Sequence, residues 1–121
     1  MTTVTFYQSN QVLYGFSTEG HTGYADAGSD ILCAAVSSLT IFVVNTIETE
    51  LNVPVVVDER EDDEDNASIT LEVPALFSET LSDADKYAVR HLIESYRRQL
   101  IEMAGDYPEY IRVLTREKEV R

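Results

Sequence analysis

The sequence predicts an α+β fold: a two-layer sandwich in which two helices cover a mostly antiparallel sheet, in the order ββαββαβ. Three observations carry this. Two pairs of short β-branched and aromatic runs are each separated by a turn-forming segment; two long stretches have helical composition and periodicity; and a last short strand follows the second helix. The chain has 121 residues, an ordinary size for one domain, and residues 1–121 are assigned to a single domain.

Val4–Tyr7 and Val12–Thr18, joined by Gln8-Ser9-Asn10, read as the first hairpin. Glu19 to Ser29 follows, a loop containing Gly20, Gly23 and Gly28. A loop of that length in so small a domain points to function rather than to a spacer. Ser29 and Asp30 are alternative N-caps for a helix running from about Ile31 to Leu51. That helix is apolar nearly all round, so it should lie between the sheet and something else, such as a second subunit. Val53–Asp58 and Ala67–Val73 form the second hairpin, with Pro54 near its start and an acidic, solvated turn, Glu59–Asp65, between the strands. The second helix begins at Ser82 or Asp83 and ends at Gly105. Leu81, Ala84, Ala88, Leu92, Tyr96 or Ser95, and Gln99 or Leu100 mark its rows, and Arg90, Arg97 and Arg98 are placed for exposed pairing with Glu94 and Glu102. Tyr110–Thr115 is the final strand.

The net charge is −13, and residues 1–66 hold 12 acidic groups against the single basic residue Arg60. Such a surface repels phosphate backbones, which argues against nucleic-acid binding and in favour of a basic protein partner. The lone cysteine, Cys33, excludes an internal disulfide framework, a multi-thiolate zinc site and a redox couple with a resolving cysteine. No metal-ligand spacing or phosphate-binding glycine loop occurs, and the acidic turn lacks the glycine and ordered spacing of a calcium loop, so neither metal nor cofactor is expected. The amino terminus carries no secretory pattern, and a reduced cytoplasmic setting fits. Ile31–Ile47 is uncharged over 17 residues, close to the lower bound for a membrane span. Its serines, its acidic flanks and the lack of a basic anchor favour a buried soluble helix instead.

Chemistry concentrates at the start of the first helix. With Ser29 or Asp30 as cap, Cys33 is the third or fourth helical residue, near unpaired N–H groups and the positive dipole end, where a thiolate and an oxyanion are both stabilised. His21 lies 12 residues earlier on the glycine loop, from which its imidazole could reach the sulfur and act as base and acid. A lone cysteine is most often a small buried hydrophobe; the joint placement of this Cys and His is what favours a nucleophile. Asp30 serves either as helix cap or as a carboxylate orienting the imidazole. Ser37, one turn beyond Cys33, either hydrogen-bonds substrate or back-bonds to the Cys33 carbonyl. His91, mid-helix without a partner of matching type, reads as a surface residue.

The stretch Gly20-His21-Thr22-Gly23-Tyr24-Ala25, then Gly28, then Asp30-Ile31-Leu32-Cys33-Ala34-Ala35-Val36-Ser37 closely resembles the ribosomal-processing cysteine protease family Prp, and the element order agrees over essentially the whole chain. The resemblance implies removal of a short N-terminal extension from large-subunit ribosomal protein twenty-seven, by cleavage after an aromatic residue. It implies Cys33 as nucleophile and His21 as general base and acid, with Asp30 and Ser37 supporting the site. Gly20 would be the hinge of a loop that rearranges on substrate binding. It further implies a homodimer, consistent with the apolar first helix. An acidic face would steer the basic ribosomal protein toward the site, at the cost of salt sensitivity. The rival is a non-enzymatic acidic module that escorts the same basic protein and needs no chemistry from Cys33.

Overall fold

A computed structural model describes residues 1–20, 27–61 and 67–120. Five strands form one sheet in the order β3-β4-β2-β1-β5: β1 (Thr2–Ser9), β2 (Val12–Glu19), β3 (Val56–Glu61), β4 (Ala67–Glu72) and β5 (Ile111–Glu117). All neighbours are antiparallel except β1 and β5, which run parallel. The helices α1 (Ala27–Asn45) and α2 (Asp83–Asp106) complete the expected α+β order. The β1–β2 connection is tighter than the sequence suggests. Ser9 pairs with Val12, and Asn10 and Gln11 both take positive φ (51° and 67°), the two-residue turn whose twist matches the strands.

Alternation decides which side of the sheet is core. Val4 and Phe6 of β1, Phe16 of β2 and Leu71 of β4 share one face and are fully buried. Ser17, Glu19, Ser68, Thr70 and Glu72 point the other way. Against the apolar face α2 presents Val89, Ile93, Tyr96 and Leu100; Tyr96 and Leu100 belong to the expected rows, whereas Val89 and Ile93 stand in place of Ala88 and Leu92, one residue on. The Tyr96 ring sits 5.6 Å from Phe6 and 4.8 Å from Phe16, centroid to centroid. Ser82 caps α2, its Oγ accepting from the Asp85 amide at 3.1 Å. The helix continues one residue past Gly105 and ends on Tyr107. The predicted ion pairs of Arg90 and Arg98 with the glutamates one turn on do not form among the described residues, as long exposed side chains gain little from them. Arg97 instead donates to Thr115 Oγ1 at 3.1 Å.

Helix α1 departs from expectation at its start. It begins at Ala27, so Ser29 and Asp30 lie inside the first turn rather than capping it; first-turn amides are unpaired in any case, and an acidic residue there is favoured by the dipole. A π-helical turn, Thr46–Glu50, extends it. Asn52 then takes φ 54° and the Val53 amide returns to the Ile47 carbonyl at 3.0 Å, a left-handed stop followed by Pro54. Val53–Val55 therefore forms no ladder, and β3 pairs from Val56 on through Glu61, later than predicted and into the acidic run. Residues 62–66 of that run lie outside the described residues.

The apolar character of α1 is only half consumed by the core. Leu32, Val36, Thr40, Val43 and Ile47 are buried, whereas Ile31, Ile41 and Phe42 are 69 %, 51 % and 61 % exposed. The segment Ile31–Glu50 is long and apolar enough to cross a membrane by length and composition, but its inner stripe closes the protein's own core. Expectation and structure agree on a sheet beneath this helix, and the outer face, where a second covering element was expected, is open in the single chain.

Candidate functional site

Between α1 and the end of the sheet lies an open groove of about 620 Å³. Cys33, Ser37 and Ile41 reach it from successive turns of α1, Thr2, Thr18 and Gly20 from the ends of β1 and β2, and Glu59 and Arg60 from the edge strand β3. The sheet floor turns from apolar to polar here. One row holds Phe6, Phe16, Leu71 and Val57; the next in β2, β4 and β3 holds Thr18, Ile69 and Glu59.

Cys33 is partly buried on the wall of this groove. It is the seventh residue of α1, in the second turn, not the third or fourth as the cap assignment implied. Its own amide is thus committed to the helix ladder, and the helix's unpaired amides lie a turn away. The expectation that first-turn amides beside Cys33 form an oxyanion site is corrected accordingly. Ser37 stands one turn on, exposed in the same groove. It does not make the anticipated back-bond: that geometry belongs to Thr40, which donates to the Val36 carbonyl at 2.7 Å, and to Thr46, which donates to the Phe42 carbonyl at 2.7 Å.

Gly20 closes β2 with φ +80°, and a Cβ there would stand 2.7 Å from the Met1 carbonyl oxygen. Only glycine fits, and the chain leaves the sheet at this point. His21 lies outside the described residues, and of Asp30 only the backbone, in the first turn of α1, is described. His91 is exposed, stacked on Tyr87 at 4.0 Å with Nδ1 3.1 Å from the Tyr87 carbonyl, and is not among the residues that line the groove. Among the described residues no cluster of three or more His, Cys, Asp or Glu could hold a metal ion.

Behind the groove wall, Thr40 ties α1 to α2. Its single hydroxyl proton goes to the Val36 carbonyl, so in the 2.6 Å contact with Tyr96 the phenol is the donor. Burial raises the Tyr96 phenol well above its ordinary range. Thr2 and Thr18 were not singled out in the sequence, and Glu59 and Arg60 were read only as turn residues, not as part of the groove. Thr2 was legible in principle, since it continues the inward alternation of Val4 and Phe6.

Comparison with known proteins gives a consistent result. The family model described as cysteine protease Prp matches residues 1–112. A search of curated proteins gives no match. Among solved structures, SMU.848 from Streptococcus mutans superimposes with a TM-score of 0.79 at 24 % identity, covering 98 % of this chain and 96 % of that one. An essential ribosomal processing protease Prp from S. aureus, in complex with a covalently linked product peptide, gives a TM-score of 0.72 at 16 % identity, covering 96 % of this chain and all of that one. The same S. aureus protease in complex with a substrate peptide gives 0.69 at 19 % identity, with 96 % of this chain and 100 % of that chain covered. At these identities the structural likeness speaks for the fold.

Proposed function

Because this chain belongs to the cysteine protease Prp family, we propose that it is a ribosomal-processing endopeptidase that removes the N-terminal extension of large-subunit ribosomal protein twenty-seven in the cytoplasm, with Cys33 as nucleophile and His21 as its base. The observation that carries this reading is the lone cysteine on the wall of an open groove, between a glycine-only joint at Gly20 and the exposed Ser37 hydroxyl. The ribosomal processing protease from S. aureus, of similar fold, supports the choice of a ribosomal precursor.

In the proposed mechanism His21 takes the Cys33 thiol proton and the thiolate sulfur attacks the scissile carbonyl carbon, pushing the electron pair onto oxygen. Collapse breaks the C–N bond as the imidazolium returns its proton to the leaving amine, which leaves a thioester on Cys33. Water, deprotonated by His21, attacks the thioester; the thiolate leaves and is reprotonated, and the product acid is released. Asp30 orients the imidazole, Ser37 hydrogen-bonds the substrate, and Gly20 is the joint on which the following loop moves. The exposed apolar stripe of Ile31, Ile41 and Phe42 forms the contact of a homodimer. Glu59 in the groove and the −13 net charge favour a basic substrate, so processing slows as salt rises.

The test is to mix the protein with the extended ribosomal precursor and follow masses over time, with Cys33→Ala as control. One new amino terminus after an aromatic residue, absent in the control, is expected. A stable complex with both forms and no cut would replace this reading with the escort module. Sedimentation of wild type and Phe42→Asp tests the dimer: a shift to monomer is expected, and identical profiles refute that contact.

A further inference from the structure

Strand β3 is an edge of the sheet. It pairs with β4 on one side, and among the described residues its main chain makes no backbone hydrogen bond on the other. An edge left in this way is a template for a further strand. Glu59 and Arg60 both line the Cys33 groove, yet neighbours in a strand point to opposite faces of the sheet. A groove that reaches both runs past the edge itself, where the main chain between them is presented. On α1 the same groove takes in Cys33, Ser37 and Ile41, each one turn beyond the last, a row about 12 Å long at 1.5 Å per residue. That length accommodates about four residues of extended chain.

Charge decides what kind of chain fits. Arg60 is held by Asp58, Nε to Oδ2 at 3.1 Å, on the face of the sheet away from the helices. Glu59, on the helix side, is exposed and makes no hydrogen bond or ion pair among the described residues. The sequence from Glu59 to Asp65 carries six carboxylates and one arginine. Two copies of this strand side by side would set like charges against each other, which disfavours self-pairing. A basic peptide meets opposite charge instead.

We propose that β3 is the docking edge for an extended, basic peptide, which adds to the sheet as a sixth strand in the Cys33 groove. The peptide's main chain pairs with the N–H and C=O groups of residues 56–61 that face away from β4, and Glu59 receives one of its basic side chains. Pairing of this kind satisfies the peptide's backbone as water leaves the groove, and it is indifferent to most of the peptide's side chains. The inference rests on the groove being the peptide site of the proposed peptidase, and it deepens that reading by naming what holds the chain.

The experiment titrates Cys33→Ala with a peptide spanning the cleavage site of ribosomal protein twenty-seven, and with analogues N-methylated at one residue each. In an added strand successive amides point alternately toward β3 and away from it. Over a stretch of about four residues, binding should therefore fall about tenfold or more at every second residue and stay within about twofold between them. In the complex with the parent peptide, hydrogen exchange read residue by residue should slow at alternate amides of 56–61, those not bonded to β4. Glu59→Lys, a change at an exposed side chain, should weaken binding about threefold at low salt and little at high salt. Losses without alternation, or unchanged exchange along β3, overturn the proposal, and undiminished affinity in Glu59→Lys overturns the choice of a basic partner. If the wild-type protein leaves the parent peptide uncut and Cys33→Ala does not bind it, the substrate assignment has failed instead. An alternating lysine–valine peptide then decides for the edge: slowed exchange along β3 upholds it, and unchanged exchange refutes it.

Discussion

Thr40→Val should destabilise the protein more than Tyr96→Phe, and the double substitution should recover part of the loss. The Tyr96 hydroxyl donates to Thr40 Oγ1 at 2.6 Å, and both residues are buried. Valine at 40 keeps the volume but leaves a buried phenol proton with no acceptor, a cost of about 1–3 kcal/mol. Phenylalanine at 96 keeps the ring contacts with Phe6 and Phe16 and leaves Thr40 still bonded to the Val36 carbonyl, so it should cost about 1 kcal/mol. With both changes no polar atom is stranded at the contact, and a coupling of about 1–2 kcal/mol should appear in the double-mutant cycle. Denaturant unfolding reads this directly, and thermal unfolding as roughly 3–6 °C per kcal/mol for a chain of this size. Strictly additive losses, or Thr40→Val milder than Tyr96→Phe, would refute the donor assignment.

Gly20→Ala should lower stability by about 1–3 kcal/mol, since the Cβ meets the Met1 carbonyl oxygen and φ +80° is strained for alanine; unchanged unfolding would show that the approach is relieved at no cost. Ser82→Ala should cost about 1 kcal/mol through loss of the cap to the Asp85 amide, measured by urea unfolding, with Ser82→Asp restoring most of it. Above pH 10 stability should fall steadily. Tyr96 keeps its proton when folded and loses it when unfolded, so the unfolded state binds fewer protons there. A Tyr96→Phe variant should flatten that decline, and an equal slope in both proteins would contradict it.

Local pattern was enough to place the elements and too little to place their ends. Alternation found both hairpins and helical composition found α1 and α2, because each needs only one face buried. The start of α1 was misplaced because Ser29 and Asp30 serve equally well as caps and as first-turn residues. The onset of β3 shifted because the left-handed stop at Asn52 and the missing amide of Pro54 delay pairing, a tertiary outcome that no window of residues encodes. The parallel pairing of β5 with β1 joins residues more than a hundred apart and left no local trace. At the site, Cys33, Ser37 and Gly20 were legible and do meet in one groove; Thr2 could be read from the alternation of β1, while the place of Thr18 beside Ile69 and Glu59 emerged only from the register.

The central claim, that Cys33 is the nucleophile of this groove, is tested most directly by a peptide of the ribosomal extension carrying an electrophilic ketone at the scissile carbonyl. Intact-mass analysis of the treated protein should show one adduct per chain, mapped by fragmentation to Cys33 and absent from Cys33→Ala. Cleavage of the precursor by Cys33→Ala, or a precursor-cutting protein that never labels at Cys33, would contradict it.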